Sequence, residues 1–224
     1  AEEAARVDAE FQPIAGWSII EELLREEDSS RVTKTEIAQP ANFLIQVSLV
    51  AELKVAGIRP SAVVGHSVGE VAAAYISGAL SLHDALLVSY HRARLQATTA
   101  GSGGMLAVGL SETDVAPWIP GDGSISIAAI NSPSAVTLAG SDDAVDVLAE
   151  QLTNEGIFAR KLKVEVPYHS HLMDPILGEI AQTLAPLQPS APAIPLYSTV
   201  TAAPVTEATW GAEYWCENVR QPVR

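Results

Sequence analysis

Cysteine is almost absent from this sequence, which contains a single one, Cys216, in 224 residues. One cysteine excludes an internal disulfide and fits a reducing compartment. One cysteine and five scattered histidines also form no pattern of metal ligands. We therefore expect a protein with no bound metal.

Long apolar runs and basic residues are also scarce. No stretch approaches the roughly 18 apolar residues of a membrane span, and the acidic start Ala1-Glu2-Glu3 does not resemble a signal peptide. Thirteen lysines and arginines stand against 27 acids, a formal net charge of −14. We expect a cytoplasmic protein with neither a membrane nor nucleic acid as a partner.

The motif Gly65-His66-Ser67-Val68-Gly69-Glu70 is the most informative feature that the sequence does contain. It lies between an apolar strand, Ala62–Val64, and an alanine-rich helix that begins at Glu70. A serine in such a turn is typical of a nucleophile elbow, where its hydroxyl projects toward substrate. The N–H of Val68, at the helix start, points at negative charge that forms beside the serine. This arrangement suits acyl transfer.

The remaining pattern predicts an α/β fold with an inserted unit. With 48% hydrophobic residues, the chain can bury one sizeable core and a smaller second one. Between residues 104 and 164 the order β-α-β-β-α-β is that of a ferredoxin-like unit. Residues 1–103 and 165–224 then form a larger, α/β-hydrolase-like unit with a parallel sheet. Outside the inserted unit we predict helices at Trp17–Glu27, Pro40–Ala56, Glu70–Ser77, Ser81–Thr98 and Met173–Leu184, and a strand at Ile194–Thr199.

A serine nucleophile needs a base, and histidine is the usual one. His83 and His91 lie on a predicted helix, where surface or packing roles are expected. His169 and His171 lie where the inserted unit returns to the larger one, and such crossovers commonly border a cleft. Both stay candidates on the pattern alone.

Seven motifs together resemble one family. The sequence is similar to the malonyl-CoA:acyl-carrier-protein acyltransferases, and within them to the acyltransferase domains of fungal iterative polyketide synthases. The motifs are Gln39-Pro40-Ala41, Gly65-His66-Ser67-Val68-Gly69-Glu70, Tyr90-His91-Arg92, Gly104-Met105, Asn131-Ser132-Pro133, Pro167-Tyr168-His169-Ser170-His171-Leu172-Met173, and Tyr214-Trp215 with Asn218 and Arg220.

The resemblance implies a role for each matching residue. The family's nucleophile falls on Ser67 and its base on His169, with His171 as the second candidate. Its carboxylate-binding arginine falls on Arg92, and a guanidinium fork matches a malonyl carboxylate. The other implied contacts are Val68 in the oxyanion hole, Gln39 near the pocket or packing its own helix, His66 beside the nucleophile, and Tyr168 favouring malonyl over methylmalonyl.

Two further points concern the residues around the implied site. No acidic residue stands out as a third triad member, so the resemblance implies a backbone carbonyl near Ser198 as the group that orients the histidine. Glu70, near a helix N-terminus, is favoured there by the helix dipole, and we assign it no chemical role.

Two departures from the family pattern concern the ends of the chain. The family's first strand and its Gly-Gln-Gly loop, whose glutamine helps form the oxyanion hole, have no counterpart, and the chain stops at Arg224 where the family's domain continues. We expect a piece of a longer synthase, truncated at both ends. Loss of one oxyanion donor typically costs about 100- to 1,000-fold in rate.

The predicted activity is transfer of a malonyl unit from malonyl-CoA, through an ester of Ser67, to the phosphopantetheine thiol of an acyl carrier protein. No bound cofactor is expected, and the expected partners are the carrier protein and neighbouring synthase domains. One alternative is a serine thioesterase or other α/β-type hydrolase; another is a non-catalytic structural fragment. The hydrolase would draw its third triad member from Asp114, Asp122, Asp142, Asp143 or Asp146.

Overall fold

The computed structural model describes all residues from 1 to 224. The chain forms nine α-helices and seven strands. The helices are α1 Glu2–Ala15, α2 Ile19–Leu23, α3 Thr35–Val55, α4 Gly69–Ser77, α5 Leu82–Ala97, α6 Glu112–Val115, α7 Asp142–Asn154, α8 Asp174–Thr183 and α9 Ala212–Arg220. The strands are β1 Val63–Val64, β2 Gly104–Val108, β3 Ile125–Ser132, β4 Ala135–Gly140, β5 Ala159–Lys161, β6 Leu196–Ser198 and β7 Ala203–Val205.

The larger unit is built on a short sheet in the order β1-β6-β7. β1 and β6 are parallel, with Val63 opposite Leu196, and β7 is antiparallel to β6. Helices pack around this sheet over a core of 29 buried residues, of which Phe43, Leu86 and Trp215 are among the largest. No helix combines the length and the apolar character that crossing a bilayer requires.

The second unit is a four-stranded antiparallel sheet in the order β3-β4-β2-β5, with α6 and α7 in its connections. This is the ferredoxin-like order, and its nine-residue core, including Leu106, Leu138 and Leu148, is separate from the first. The predicted fold class is confirmed. All four strands lie between residues 104 and 161, and we retain the unit boundaries at 103/104 and 164/165 as a proposal.

The end of the chain connects the two units. Val223 donates to the carbonyl of Ala128 at 2.9 Å and accepts from the N–H of Ile130 at 2.7 Å, so it runs parallel to β3. The N–H of Arg224 donates to the Thr199 carbonyl, just beyond β6, at 2.7 Å. Residues 221–224 therefore lie between the two sheets.

Two predicted helices differ from the observed ones. α3 begins at Thr35, so Pro40 lies inside it and not in its first turn. An interior proline removes one helical hydrogen bond, but burial of Ile37 and Gln39 in the preceding turn offsets that cost. The predicted helix Trp17–Glu27 is shorter, Ile19–Leu23, because the buried carboxylate of Glu22 pairs with Arg25 and Arg31 as the chain turns back.

α1 and α9 have no counterpart among the predicted elements. In α1 the apolar positions Ala4, Val7, Phe11 and Ile14 follow helical spacing, and this signal could have identified it. Pro13, near its C-terminus, obscured the pattern.

Candidate active site

Ser67 lies in the turn between β1 and α4 with a left-handed backbone, φ 54°. A Cβ at Gly65 would lie 2.2 Å from the carbonyl carbon of Gly69, so only glycine fits at position 65. Gly69 is different, since a Cβ there would meet nothing closer than 3.9 Å. The N–H of Val68, the N-cap residue of α4, makes no hydrogen bond within the chain. The turn thus presents a hydroxyl beside a free backbone donor.

His169 contacts the serine directly. Its Nε2 lies 2.7 Å from Ser67 Oγ, and its Nδ1 donates to the backbone carbonyl of Gln221 at 2.9 Å. A proton on Nδ1 leaves Nε2 free to accept from the hydroxyl. Burial lowers the pKa of His169 to about 3, with the positive charge of Arg92 adding to this and the Gln221 carbonyl opposing it. The imidazole is therefore neutral and able to act as a base.

The prediction that a carbonyl near Ser198 orients the histidine is wrong. The Ser198 hydroxyl is paired with Tyr214 Oη at 2.8 Å, and the carbonyl at Nδ1 comes from Gln221. The pairing of Val223 with β3 brings that carbonyl to His169. The two backbone hydrogen bonds of Val223 with β3 depend on no particular side chain, so the sequence gives no signal for them.

His171 makes no hydrogen bond to Ser67, and its buried Nδ1 has no partner. None of the five aspartates weighed for a hydrolase triad contacts His169. Asp142, for example, pairs with Lys161 at 2.9 Å, and Asp114 accepts from Ser111 at 2.7 Å. The arrangement around Ser67 is a serine–histidine pair oriented by a backbone carbonyl.

Arg92 reaches the serine from α5. Its side chain is buried, and Nη2 donates to Ser67 Oγ at 2.9 Å. Three amide oxygens accept from its other nitrogens: Asn218 Oδ1 from Nε at 2.9 Å, and Gln39 Oε1 and Gln96 Oε1 from Nη1 at 2.5 and 3.0 Å. Burial lowers its pKa to about 10, so it stays a cation at neutral pH. It forms no ion pair with any carboxylate of the chain.

Two of these partners were not assigned by sequence reasoning. Gln96 lies four residues after Arg92, on the same helix face, and this spacing was an available signal. Asn218 lies on α9, which was not predicted, so only the tertiary structure brings it to Arg92.

A cavity of about 300 Å³ opens at the pair and is lined by both units. Its other predicted residues all line it: Gln39, His66, Val68 and Tyr168. His66 Nε2 lies 3.3 Å from Asn131 Oδ1 in β3, across the cleft. Tyr168 Oη lies 2.6 Å from Thr35 Oγ1, which holds the ring in place. Met105 and Leu162 supply an apolar wall.

Glu70 is the second residue of α4 and is completely buried. Its carboxylate accepts four hydrogen bonds, from the N–H and hydroxyl of Thr199, from Tyr214 and from Asn218. Burial raises its pKa and these donors oppose the rise. The helix dipole alone, which was our expectation, does not account for such an environment.

Comparison with known proteins gives one consistent family. The family profile described as "Acyl transferase domain" matches residues 1–224. The chain is 42% identical over 216 residues to the highly reducing polyketide synthase ltbA of Aspergillus luteorubrus, covering 93% of this chain and 7% of the relative. It is 40% identical over 211 residues to the polyketide synthase GfsB of Streptomyces halstedii, covering 93% of this chain and 4% of the relative. The chain thus spans only a small part of the curated relatives that it matches.

Solved structures agree with this result. The acyltransferase domain from module 8 of the salinomycin polyketide synthase superposes with a TM-score of 0.93 at 32% identity, over all of this chain and 53% of that one. The malonyl-CoA:ACP transacylase of Synechocystis sp. PCC 6803 superposes with a TM-score of 0.86 at 26% identity, over all of this chain and 75% of that one.

Proposed function

Because this chain belongs to the acyltransferase domain family found in polyketide synthases, we propose that it carries malonyl units from malonyl-CoA to an acyl carrier protein. Ser67 is the nucleophile and His169 the base. The carrier protein and the neighbouring synthase domains are the proposed partners, and no bound cofactor takes part. The matched relatives are polyketide synthases, and this chain covers only 7% of the length of ltbA and of sdnO. It is therefore similar to one domain of a much larger protein.

One observation carries the substrate class. Arg92 is a buried cation with no carboxylate partner, and its Nη2 donates to the nucleophile's own hydroxyl. A buried charge is costly unless an opposite charge compensates it. A substrate with a carboxylate two carbons from its thioester carbonyl carbon would supply that charge beside Ser67. Bidentate pairing of guanidinium with carboxylate then favours malonyl over acetyl thioesters.

The first half-reaction acylates the serine. Nε2 of His169 takes the proton of Ser67 as Oγ attacks the thioester carbonyl carbon. The oxyanion that forms accepts a hydrogen bond from the Val68 N–H at the start of α4. The carbon–sulfur bond then breaks, and the departing coenzyme A thiolate takes the proton from His169.

The second half-reaction runs the same steps in reverse order. The phosphopantetheine thiol of the carrier gives its proton to His169 and attacks the ester carbon. The bond from that carbon to Oγ breaks, and Oγ takes the proton back. The malonyl unit is now a thioester on the carrier, and the enzyme is regenerated.

The direct test is intact-protein mass spectrometry of the chain mixed separately with malonyl-CoA, methylmalonyl-CoA and acetyl-CoA. We expect a malonyl adduct, its loss in Ser67→Ala, and transfer of the adduct to an added carrier protein. Release of free coenzyme A without an adduct indicates a hydrolase. Adduct formation in Ser67→Ala contradicts the assigned nucleophile.

Tyr168 supports malonyl over methylmalonyl, since its ring lines the cavity and is held by Thr35. We expect Tyr168→Ser to raise the methylmalonyl-to-malonyl loading ratio about tenfold, because it opens space beside the α-carbon. Thr35→Val is the matched control, since it removes the hydrogen bond and keeps the ring. An unchanged ratio in Tyr168→Ser contradicts the role of the ring.

A further inference from the structure

We propose that Glu70 is a positioning residue, which acts through Asn218 to hold the Arg92 guanidinium where it binds the substrate carboxylate. The inference rests on the proposed function, because it concerns the orientation of the arginine that selects malonyl. Glu70 itself touches neither substrate nor the reacting atoms.

Hydrogen-bonding groups of Thr199, Tyr214 and Asn218 surround the carboxylate of Glu70. Oε1 accepts from the N–H and the hydroxyl of Thr199 at 2.6 and 2.9 Å. Oε2 accepts from Tyr214 Oη at 2.8 Å and from Asn218 Nδ2 at 2.7 Å. The Thr199 hydroxyl has a single proton, and both Glu70 Oε1 and the Gly65 carbonyl, at 3.0 Å, lie within hydrogen-bond distance of it. The Thr199 N–H, the Tyr214 hydroxyl and the Asn218 amide NH₂ donate whichever way the Thr199 hydroxyl turns, and these three donors match an ionised carboxylate.

Asn218 joins this carboxylate to Arg92. Its Nδ2 donates to Glu70 Oε2 at 2.7 Å, and its Oδ1 accepts from Arg92 Nε at 2.9 Å. A flipped amide would put its oxygen against the carboxylate and its NH₂ against the guanidinium N–H, so both contacts would be repulsive. The negative charge of Glu70 therefore fixes which way the amide faces. The amide in turn fixes the edge of the guanidinium that carries Nε.

The remaining contacts of the guanidinium show how the orientation set by Asn218 directs Nη2 at Ser67. With Nε held by Asn218 and Nη1 held by Gln39 and Gln96, Nη2 is directed at Ser67. Asn218 Nδ2 also lies 3.3 Å from the Ser67 carbonyl, so the same amide contacts the nucleophile's backbone. Glu70 thus orients the guanidinium through one intervening amide, without pairing with it and without occupying the face that a substrate carboxylate needs.

Selectivity between two acyl donors tests this relay better than activity alone. When Arg92 is misoriented, acetyl-CoA, which has no carboxylate, loses only the contact of Nη2 with Ser67 Oγ, whereas malonyl-CoA loses its carboxylate contact as well. We expect Glu70→Gln to lower kcat/KM for malonyl-CoA at least about tenfold, mostly through KM, and to leave acetyl-CoA within about threefold. Asn218→Ala breaks the relay at its middle and should give the same pattern.

A double-mutant cycle on the malonyl-to-acetyl ratio is the decisive measurement. If Glu70 acts through Asn218, the double variant loses no more selectivity than either single variant. Equal losses on both substrates, or fully additive losses of selectivity, overturn the proposal. Glu22→Gln is the matched control, because it neutralises another buried carboxylate, in α2 and outside the cavity. It should lower thermal stability without changing the ratio.

The two proposals fail in different ways. A wild-type chain that forms no malonyl adduct contradicts the proposed function. A wild-type chain that prefers malonyl, together with a Glu70→Gln variant that keeps the same preference, contradicts the role of Glu70 alone. If Glu70→Gln does not fold, Asn218→Ala decides the question, since it leaves three of the four bonds to Glu70 in place.

Discussion

The hydroxyl of Ser67 lies 2.7 Å from Nε2 of His169, and both residues have left-handed backbones, with φ values of 54° and 57°. For residues other than glycine such conformations cost about 1–3 kcal/mol each and persist only where the surroundings enforce them. At Ser67 the close approach of Gly65 to Gly69 enforces the turn. The two strained residues belong to segments 102 positions apart, and their meeting defines the site.

The pH dependence of His169 gives the first prediction. With its pKa at about 3, it stays neutral as the pH falls from 7.5 to 5. Acylation of Ser67 should change by less than about twofold over that range, if His169 is the base. Stopped-flow or quenched mass spectrometry measures this rate. A rate that halves near pH 6.5 contradicts the lowered pKa.

The lowered pKa of His169 also predicts how the free energy of unfolding depends on pH. The pKa of His169 in the folded state is below its unfolded value of 6.5, so the unfolded chain takes up a proton first as the pH falls. The free energy of unfolding therefore has its full value above pH 6.5 and decreases as the pH falls toward 3. One group contributes at most about 1.4 kcal/mol per pH unit to this slope. Urea unfolding at pH 7, 5.5 and 4.5 should show a shallower decline for His169→Gln than for wild type. Parallel curves would refute the shift.

Arg92→Lys tests the guanidinium fork. A lysine keeps the charge but cannot bond Gln39, Asn218 and Ser67 together, so malonyl loading should fall about 100-fold while acetyl loading changes by less than about threefold. Arg94→Lys is the matched control, two residues on, where the side chain pairs with Glu179 at 2.9 Å. Malonyl loading that survives Arg92→Lys argues against a bidentate carboxylate site.

The hydrogen bond that orients His169 predicts that substitution of the Gln221 side chain is tolerated. The acceptor is the backbone carbonyl of Gln221, whose own side chain is exposed. Gln221→Ala should therefore keep acylation within about twofold and stability within about 0.5 kcal/mol. Val223→Pro removes the N–H that bonds Ala128 at 2.9 Å, and we expect it to slow acylation about tenfold by loosening the segment. The reverse ranking of the two variants would assign the role to the Gln221 side chain.

Ala202 provides a stability test away from the site. It lies in the turn between β6 and β7 with φ 53°, exposed to solvent. Ala202→Gly should raise the free energy of unfolding by about 0.5–1 kcal/mol, because glycine adopts this conformation without steric cost. Urea denaturation measures the change, and a destabilised variant would contradict it.

The sequence alone determined the local features of this protein. The Gly65–Gly69 motif specified the elbow because a strand, a tight glycine and a helix start follow one another within a few residues. The β-α-β-β-α-β pattern specified the ferredoxin-like unit, because that order of elements is the signature of the motif, although only β3 and β4 are neighbours in both the chain and the sheet. Ser67 was identified from the motif itself, and His169 and Arg92 were identified through the family resemblance.

Only the tertiary structure decided how those residues act. The Gln221 carbonyl reaches His169, and Asn218 reaches Arg92, through contacts that span 52 and 126 positions. The hydrogen bonds that Glu70 accepts from Thr199, Tyr214 and Asn218 also join residues that are far apart in the sequence. Such contacts depend on how α9 packs in the larger unit and on how the end of the chain bonds to both units. Periodicity records which face of a helix is buried, but it does not record what that face meets.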